Sequence, residues 1–310
     1  MSHPGSATHR EPFQGNTALL HDRLARLRDQ VEDALATHLP AGAVLSPRLL
    51  DAMRYSTLAG GKRIRPLLVL AANAAAGGDI EQAFTPACAL EYVHTYSLIH
   101  DDLPAMDNDI LRRGKPTCHI AFDEATAILA GCGLLTHALQ LIARSPASDD
   151  ATRLSMLTCL TEASGALGML AGQAVDLAST GKLLELPALE ALHAAKTGAL
   201  IRAAVRIGAL SARANEATLA CLEEYARDIG LGFQLADDLL NIGGDPARLG
   251  KSVGSDAALG KNTYPALLGE DATRARLEAL HQRALSALDG LGTEADLLRA
   301  IAHTLADRDH

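Results

Sequence analysis

Helical periodicity runs through almost all of this 310-residue chain, and it constrains the fold more than any other feature. Alternating runs bounded by turn residues, the pattern of strands, are scarce. The breaks carry Gly, Pro or Asp, and no Pro/Ser-rich linker or shift in composition divides the chain. The periodic segments predict helices over 17–38, 46–59, 64–76, 80–103, 119–144, 149–180, 187–212, 215–242, 271–288 and 293–307.

Composition points to the same class of fold. Apolar residues make up 48% of the chain, but aromatic residues only 3%. The core must therefore be built mainly from Ala and Leu, which favour helices. We predict one all-α domain over residues 17–310, a single-domain bundle of about ten or more helices around a central active-site cavity, preceded by a flexible polar arm over residues 1–16.

Charge and cysteine usage argue against several classes of protein. A net charge of -9, from 37 acidic and 28 basic residues, argues against a nucleic-acid binder with a basic surface. The sequence predicts no transmembrane segment and no signal peptide, since it has no long charge-free apolar run and its N-terminus is polar. The five cysteines are dispersed without a CxxC pair, which is typical of reduced thiols in the cytoplasm.

The segment LIHDDLPAMDND, residues 98–109, places four aspartates directly after an apolar run. A helix through this run carries His94 onto the same face as Asp101, seven residues later. Pro104 cannot donate a helical hydrogen bond, so we predict a kink or bulge that brings Asp107 back toward Asp101. The rim so formed presents Asp101, Asp102 and Asp107. Such hard oxygen donors suit Mg²⁺, which takes its other ligands from water and substrate phosphates.

A second acidic pair interrupts the apolar helix GLGFQLADDLLN, residues 230–241. Asp237 and Asn241 are four residues apart, Asp238 precedes Asn241 by three, and Gln234 lies one turn earlier, so all could line one face. Helix bundles build metal sites from carboxylates on facing helices. Two acidic pairs far apart in sequence therefore predict two walls of one metal-filled cavity.

Basic residues occur beside both acidic clusters and in the loop GGKRIRP, residues 60–66. Glycine lets a backbone turn closely around an anion, and the fork of an Arg side chain matches phosphate oxygens. The pattern predicts two diphosphate sites, one bound through metal ions and one bound by Arg and Lys alone. The candidate cations are Lys62, Arg63, Arg65, Arg112, Arg113, Lys196, Lys251 and Lys261.

Five segments together resemble the trans-isoprenyl diphosphate synthases, the polyprenyl synthetases. They are GGKRIRP, HTYSLIHDDLPAMDNDILRRGKPT, LGFQLADDLLN, LGKSVGSD and LGKNTYPALLG. They occur in order between about residues 50 and 270. A DDxxxxD element followed at once by LRRGKPT, with a second Asp pair after GFQ, is specific to this family, and the pattern is most similar to its bacterial members that make farnesyl diphosphate.

The resemblance implies a Mg²⁺-dependent prenyltransferase that joins isopentenyl diphosphate head-to-tail to allylic diphosphates, dimethylallyl and geranyl. It implies that three Mg²⁺ ions hold the allylic diphosphate between the two aspartate walls. The diphosphate then leaves, the allylic cation is attacked by isopentenyl diphosphate, and a proton is lost. The expected product is farnesyl diphosphate (C15), and the expected assembly is a cytoplasmic homodimer.

The resemblance also assigns roles to individual residues. The metal ligands are Asp101, Asp102, Asp107, Asp237 and Asp238. Isopentenyl diphosphate is expected on Lys62, Arg65, His94 and Arg113, and the allylic diphosphate on Arg112, Lys196, Lys251 and Lys261. Thr197 and Gln234 are expected near the reacting carbons. The second motif departs from the family at Asn241, where Asp is usual, so we expect weaker Mg²⁺ binding on that side with function kept.

Product length is expected to depend on the helix before the first acidic motif. Tyr96 precedes Asp101 by roughly 7–8 Å of helical rise. Helical spacing places Ser97 directly below Asp101, and it is the resemblance that nominates Tyr96 as the floor of the cavity. A ring there favours C15. Two alternatives stay open, a C20 (geranylgeranyl diphosphate) synthase, since DDxxxxD also occurs in related C20 synthases, and a non-catalytic partner subunit, which only Asn241 supports.

Overall fold

The computed structural model describes residues 17–41, 45–243 and 262–306. The predicted N-terminal arm, residues 1–16, and the predicted site residues Lys251 and Lys261 lie outside the described residues. The helices are α1 (Thr17–His38), α2 (Pro47–Thr57), α3 (Ile64–Ala75), α4 (Ile80–Asp101), α5 (Cys118–Ala121), α6 (Glu124–Ala143), α7 (Asp150–Ser164), α8 (Met169–Ser179), α9 (Leu186–His193), α10 (Ala199–Ser211), α11 (Glu216–Gly243), α12 (Tyr264–Leu268), α13 (Glu270–Ala287) and α14 (Asp296–Ala306). A π-helical turn, Ala194–Gly198, joins α9 to α10, and a 3₁₀ segment, Asp289–Ala295, precedes α14.

The predicted all-α class is confirmed, and the sequence pattern missed one short hairpin. Strands β1 (Leu111–Arg112) and β2 (Lys115–Pro116) pair antiparallel, with Leu111 opposite Pro116. Arg113 and Gly114 form the turn with φ angles of 54° and 75°. Positive φ at both central residues matches the twist of a two-residue hairpin, and two-residue strands are too short to show an alternating pattern.

Three helices that the sequence predicts as continuous are interrupted in the structure. The stretch 149–180 is two helices, because the Gly-containing segment 165–168 separates α7 from α8. The stretch 187–212 is interrupted by the π-helical turn. The stretch 119–144 begins as the short α5, and α6 starts anew at Asp123, whose carboxylate accepts the backbone N–H of Thr126 at 2.7 Å.

The core is centred on α3, which is buried from Pro66 to Ala75 between α4 and α10. Helices α10 and α3 approach closely at Gly208, where a Cβ atom would lie 2.2 Å from the carbonyl oxygen of Val69. Helices α4 and α11, which carry the two acidic motifs, both pack against α10. The two acidic motifs therefore lie on helices that both contact α10.

Two stretches are long and apolar enough, by length and composition alone, to cross a membrane. They are Glu124–Ala143, which is α6, and Asp150–Ser179, which spans α7 and α8. Helix α6 packs extensively on α4 and also contacts α2, α5 and α7, and the second stretch is broken between its two helices. One or two such stretches, judged by length and composition alone, are weak evidence for a membrane span.

Candidate active site

The first acidic motif lies where α4 ends. The helix stops at Asp101, and the chain turns so that the Asp107 N–H donates to the backbone carbonyl of Asp101 at 2.9 Å. This return confirms the predicted bulge. Burial raises the pKa of Asp101 to about 6, Lys196 opposes that rise, and the neighbouring carboxylate of Asp107 reinforces it. Burial and the neighbouring acidic charges thus outweigh the effect of Lys196 and Arg112 on the pKa of Asp101.

Asp102 is bound by Arg112. The Arg112 Nε donates to both carboxylate oxygens, at 2.8 and 2.9 Å, and its Nη2 donates to Oδ1 at 2.6 Å. Asp102 is only 3% exposed. Among the described residues, no group of three or more His, Cys, Asp and Glu side chains is arranged to hold one metal ion. The structure therefore does not gather the three predicted carboxylates of the first wall into a preformed cluster.

Lys196 and Thr197 lie on the π-helical turn between α9 and α10. Helix α8 packs against this turn so closely that a Cβ atom on Gly172 would lie 2.2 Å from the backbone nitrogen of Lys196. The Lys196 ammonium donates to the Asp176 carboxylate at 2.6 Å. Single π-helical turns inside α-helices are frequent at functional sites, because they re-aim side chains without ending the helix.

The second acidic motif joins this turn through hydrogen bonds. The Thr197 hydroxyl donates to Gln234 Oε1 at 3.0 Å, and Gln234 Nε2 donates to Asp238 Oδ1 at 2.8 Å. The other oxygen of Asp238 accepts the backbone N–H of Tyr264 at 2.9 Å. Asp237 is half-buried, whereas Asn241 is buried. The structure thus brings the predicted Thr197, Gln234 and Asp238 together across the π-helical turn and α11.

The cations of the glycine loop divide into two kinds. Arg63 has a φ of 50° and is 3% exposed. Its guanidinium donates to Glu32 at 2.7 and 2.9 Å, to Glu91 at 2.8 Å and to the Thr57 carbonyl at 2.7 Å. Those bonds use most of its donors, so Arg63 supports the loop. Lys62 is exposed, while Arg65 has a buried Nε that has no hydrogen-bond partner within the described structure.

The hairpin folds over this loop through Arg113. Its guanidinium donates to the Gly60 carbonyl and covers Gly61, where a Cβ atom would lie 2.6 Å from Nη1. Gly61 also has a φ of 144°. The half-buried His94 side chain has a pKa well below the usual value, because of its burial and the charges of Arg65 and Arg113. Positive charge is therefore concentrated beside His94 on α4.

A family model described as polyprenyl synthetase matches residues 46–290 of this chain. The chain belongs to the polyprenyl synthetase family. Its length and fold agree with those of other members. It is 46% identical to the farnesyl diphosphate synthase of Escherichia coli (strain K12) over 286 residues, covering 90% of this chain and 96% of that protein.

Two further members broaden the comparison. The geranylgeranyl diphosphate synthase of Cyanophora paradoxa is 43% identical over 303 residues, covering 97% of this chain and 100% of that protein. The apo crystal structure of an FPP/GFPP synthase from Zymomonas mobilis superposes with a TM-score of 0.84 and 40% identity, covering 94% of this chain and 99% of that one. These relatives carry names with different product lengths.

The sequence pattern missed one part of this polyprenyl synthetase site, the GQAVD segment of α8. It supplies Asp176, which binds the Lys196 ammonium. It also supplies Gln173, whose side-chain N and O atoms are both buried without a hydrogen-bond partner in the described ranges. An amide and an acid interrupting an apolar helix are the same signal that revealed the second motif, so the segment was detectable.

Proposed function

We propose that this chain catalyses the Mg²⁺-dependent condensation of isopentenyl diphosphate with dimethylallyl and geranyl diphosphates to give farnesyl diphosphate. The similarity to farnesyl diphosphate synthases supports the reaction. One observation in the structure carries the proposal: the acidic pair Asp101 and Asp107 lies at and just beyond the C-terminal end of α4, and a cluster of cations surrounds His94, about two turns earlier on the same helix. One diphosphate bound through metal and one bound by Arg and Lys match these two environments.

The cationic cluster suits isopentenyl diphosphate. Arg65 has a lowered pKa, because burial outweighs the attraction of Glu91 and Arg113 adds repulsion. Its buried Nε still needs an acceptor, since no described protein group supplies one. A diphosphate between Arg65, Arg113 and the half-buried His94 would supply the missing acceptor and neutralise the mutual repulsion, with Lys62 at the exposed rim.

The acidic pair suits Mg²⁺ by the chemistry of its donors. Carboxylate oxygens are hard ligands, and Mg²⁺ is commonly held by one or two carboxylates plus substrate phosphates, so a preformed three-residue cluster is unnecessary. We assign Asp101 and Asp107 to the first wall and Asp237 to the second, with three ions expected in total. When bound, the ions neutralise charge on the departing diphosphate. Asn241 leaves the second wall one charge short of the family pattern.

The remaining chemistry falls to side chains of this chain. Lys196, oriented by Asp176, and Arg112, oriented by Asp102, are held ready to pair with the oxygens of the allylic diphosphate as its charge grows. Thr197 and Gln234 are joined by the hydrogen bond from the Thr197 hydroxyl to Gln234 Oε1, and we expect the reacting carbons beside this pair. The proton lost at the end has the released diphosphate as its nearest expected base.

Turnover by the purified chain tests this proposal. The protein is incubated with isopentenyl and geranyl diphosphates, with either Mg²⁺ or EDTA, and dephosphorylated products are resolved by chromatography. We expect elongation that requires Mg²⁺ and no second protein. Absence of elongation at any Mg²⁺ concentration would favour the alternative of a non-catalytic partner subunit.

Gly61→Ala should weaken binding of isopentenyl diphosphate. The new Cβ would meet the Arg113 guanidinium and would also force an alanine into a φ of 144°. A displacement costing about 1–3 kcal/mol corresponds to a rise of roughly 5-fold to 150-fold in KM for isopentenyl diphosphate. KM for geranyl diphosphate should change much less. Gly77→Ala is the matched control, because Gly77 has a φ of 77° with no atom near its Cβ position.

Tyr96→Ala should lengthen the product. Tyr96 is buried on α4, and its ring packs edge-on against His100 at 5.5 Å between centroids. The His100 Nε2 atom in turn lies 3.1 Å from the Ile128 carbonyl oxygen of α6, and this hydrogen bond holds the imidazole beside the Tyr96 ring. Ser97 is half-buried, and its hydroxyl donates to the His94 carbonyl at 2.8 Å. Removing the ring opens the floor, and mass analysis should show C20 or longer chains.

Tyr92 provides the comparison for product length. Its hydroxyl donates to the Leu35 carbonyl at 2.7 Å inside the core. Tyr92→Phe should therefore leave the product distribution unchanged. An unchanged distribution in Tyr96→Ala would contradict the assignment of Tyr96 as the floor, and a C20 product from the unaltered chain would support the geranylgeranyl alternative.

We also assign the chain to a homodimer in the cytoplasm. The five cysteines are unpaired thiols, consistent with a reducing compartment. Helix α6 packs one side on α4 and exposes Ile128 (45%) and Leu129 (58%) on the other, next to Cys132. An apolar helix face of this kind suits a second copy of the same chain. In sedimentation velocity, Leu129→Arg should shift dimer to monomer, whereas Leu19→Arg on α1 should not.

A further inference from the structure

The short hairpin of β1 and β2 carries two adjacent arginines that reach different parts of the molecule. Arg112, the last residue of β1, donates to the Asp102 carboxylate just beyond the end of α4. Arg113, in the turn, donates to the Gly60 carbonyl of the glycine loop. Because the two arginines are neighbours in one hairpin, a movement of the hairpin would displace both guanidinium groups together.

Thr117, directly after β2, closes the base of this hairpin. Its backbone N–H donates to the Ile110 carbonyl at 3.1 Å, and its hydroxyl donates to the Asp109 carbonyl at 2.8 Å. Thr117 is only 2% exposed. Because so little water reaches the residue, its hydroxyl would lose a hydrogen bond rather than exchange it for one to water if the two ends of the hairpin separated.

His119 binds the same hydroxyl group from α5. The Asp109 carbonyl can only accept, so the single hydroxyl proton of Thr117 points to that carbonyl. The Thr117 oxygen therefore presents lone pairs to the His119 Nδ1 atom, which lies 3.2 Å away and must carry the proton of this hydrogen bond. His119 is itself buried. The two side chains thus join the base of the hairpin to α5.

A second hydroxyl attaches the hairpin to α2. The Tyr55 O–H donates to the Pro116 carbonyl of β2 at 2.7 Å. The Tyr55 ring also packs edge-on against Phe122, with 5.6 Å between the ring centroids. Strand β2 is therefore attached to α2 as well as to α5, and neither attachment involves Arg112 or Arg113.

We propose that Thr117 and His119 are positioning residues for the binding of both substrates. They hold the hairpin so that Arg112 is placed for the allylic diphosphate and Arg113 for isopentenyl diphosphate. This inference rests on the proposed function, which assigns one diphosphate to each arginine. A change at the base of the hairpin should therefore weaken the binding of both substrates, whereas Gly61→Ala should affect mainly isopentenyl diphosphate.

Thr117→Val tests this role, since valine has nearly the shape of threonine but no hydroxyl. We expect KM for isopentenyl diphosphate and KM for geranyl diphosphate to rise together, each by about threefold to thirtyfold, with kcat changed less than either KM. Thr117→Ser keeps the hydroxyl and should restore both values. His119→Phe removes the N–H that binds Thr117 and should also raise both KM values.

Thr273→Val is the matched control for a loss of stability alone. Thr273 is fully buried on α13, and its hydroxyl donates to the Gly269 carbonyl at the same distance of 2.8 Å. Urea unfolding should show a loss of stability in both valine variants, but Thr273→Val should keep both KM values. If Thr117→Val does not fold, Tyr55→Phe releases the same hairpin from α2 and should raise both KM values in its place.

Three results would overturn the inference: unchanged KM values in Thr117→Val or His119→Phe, a rise in only one of the two KM values, or no restoration in Thr117→Ser. Any of them, in an unaltered chain that elongates prenyl diphosphates, refutes only the positioning role. An unaltered chain that never elongates refutes the proposed function instead. The hairpin is then tested by calorimetry with isopentenyl diphosphate and, with Mg²⁺, geranyl thiolodiphosphate, and equal affinities of Thr117→Val and the unaltered chain for either ligand would contradict its role.

Discussion

Asp101→Asn should nearly abolish turnover and at the same time stabilise the metal-free protein. The carboxylate contributes to binding the ions that neutralise the leaving diphosphate, so kcat should fall by about a hundredfold or more. Burial is the main reason that the pKa of Asp101 is raised to about 6, and the Asp107 carboxylate adds to it. In the absence of metal the charged form is therefore a source of instability in the folded state.

The sign of the pH effect follows from that shift. A group whose pKa is higher in the folded than in the unfolded state stabilises the fold at low pH, and the contribution is lost as pH rises through the folded value. The metal-free protein should thus lose about 2 kcal/mol of unfolding free energy between about pH 4 and pH 7 from this group. Asp101→Asn, which mimics the protonated acid, should not lose it.

Urea unfolding with EDTA at pH 5 and pH 7.5 measures this effect. Asp51→Asn is the control, since Asp51 is an exposed carboxylate on α2. Equal stability of Asp101→Asn and the unaltered chain at pH 7.5, together with normal turnover, would remove Asp101 from the metal site.

Arg63→Met should cause the largest loss of stability of any single change at the site. It leaves Glu91, which is 2% exposed, and the partly buried Glu32 without their shared counter-ion. Removing one partner of a buried ion pair typically costs about 3–5 kcal/mol, because the remaining charge is buried and uncompensated. The loop that carries Lys62, and the first turn of α3 that carries Arg65, should lose their support as well.

A compensating variant separates charge burial from lost packing. Arg63→Met combined with Glu91→Met removes both buried charges and should regain much of the stability measured by urea unfolding. Arg23→Met, at an exposed position of α1, should cost little. If Arg63→Met were no more damaging than Arg23→Met, Arg63 would not be the structural support of the loop.

The sequence was informative wherever a local rule decided the structure. Pro104 predicted the end of α4 and the return of Asp107, because proline removes a helical donor whatever surrounds it. Ala and Leu content predicted the helices, although the glycines at 165 and 168 divided one of them. These features depend on residues close together in the chain.

Other features depended on contacts between distant segments. The DD motif alone does not predict that its second aspartate accepts hydrogen bonds from other protein groups. Asp102 is bound by Arg112, and Asp238 is bound by Gln234 and the Tyr264 N–H. The π-helical turn at Lys196 accompanies close packing against Gly172 of another helix. Arg63 and Arg65 are two arginines of the same short motif, and the sequence does not distinguish their roles. In the structure Glu32 and Glu91 bind Arg63, which therefore supports the loop, and Arg65 is left as the candidate for ligand binding.

Product length from defined starters tests the central claim most directly. The purified chain is given Mg²⁺, isopentenyl diphosphate and, separately, the C5, C10 and C15 allylic diphosphates, and the products are resolved by chromatography and mass. We predict C15 from the C5 and C10 starters, with the C15 starter left unextended. Extension of the C15 starter to C20 as the main product would contradict a farnesyl diphosphate synthase closed by Tyr96, and no elongation from any starter would contradict the proposed activity.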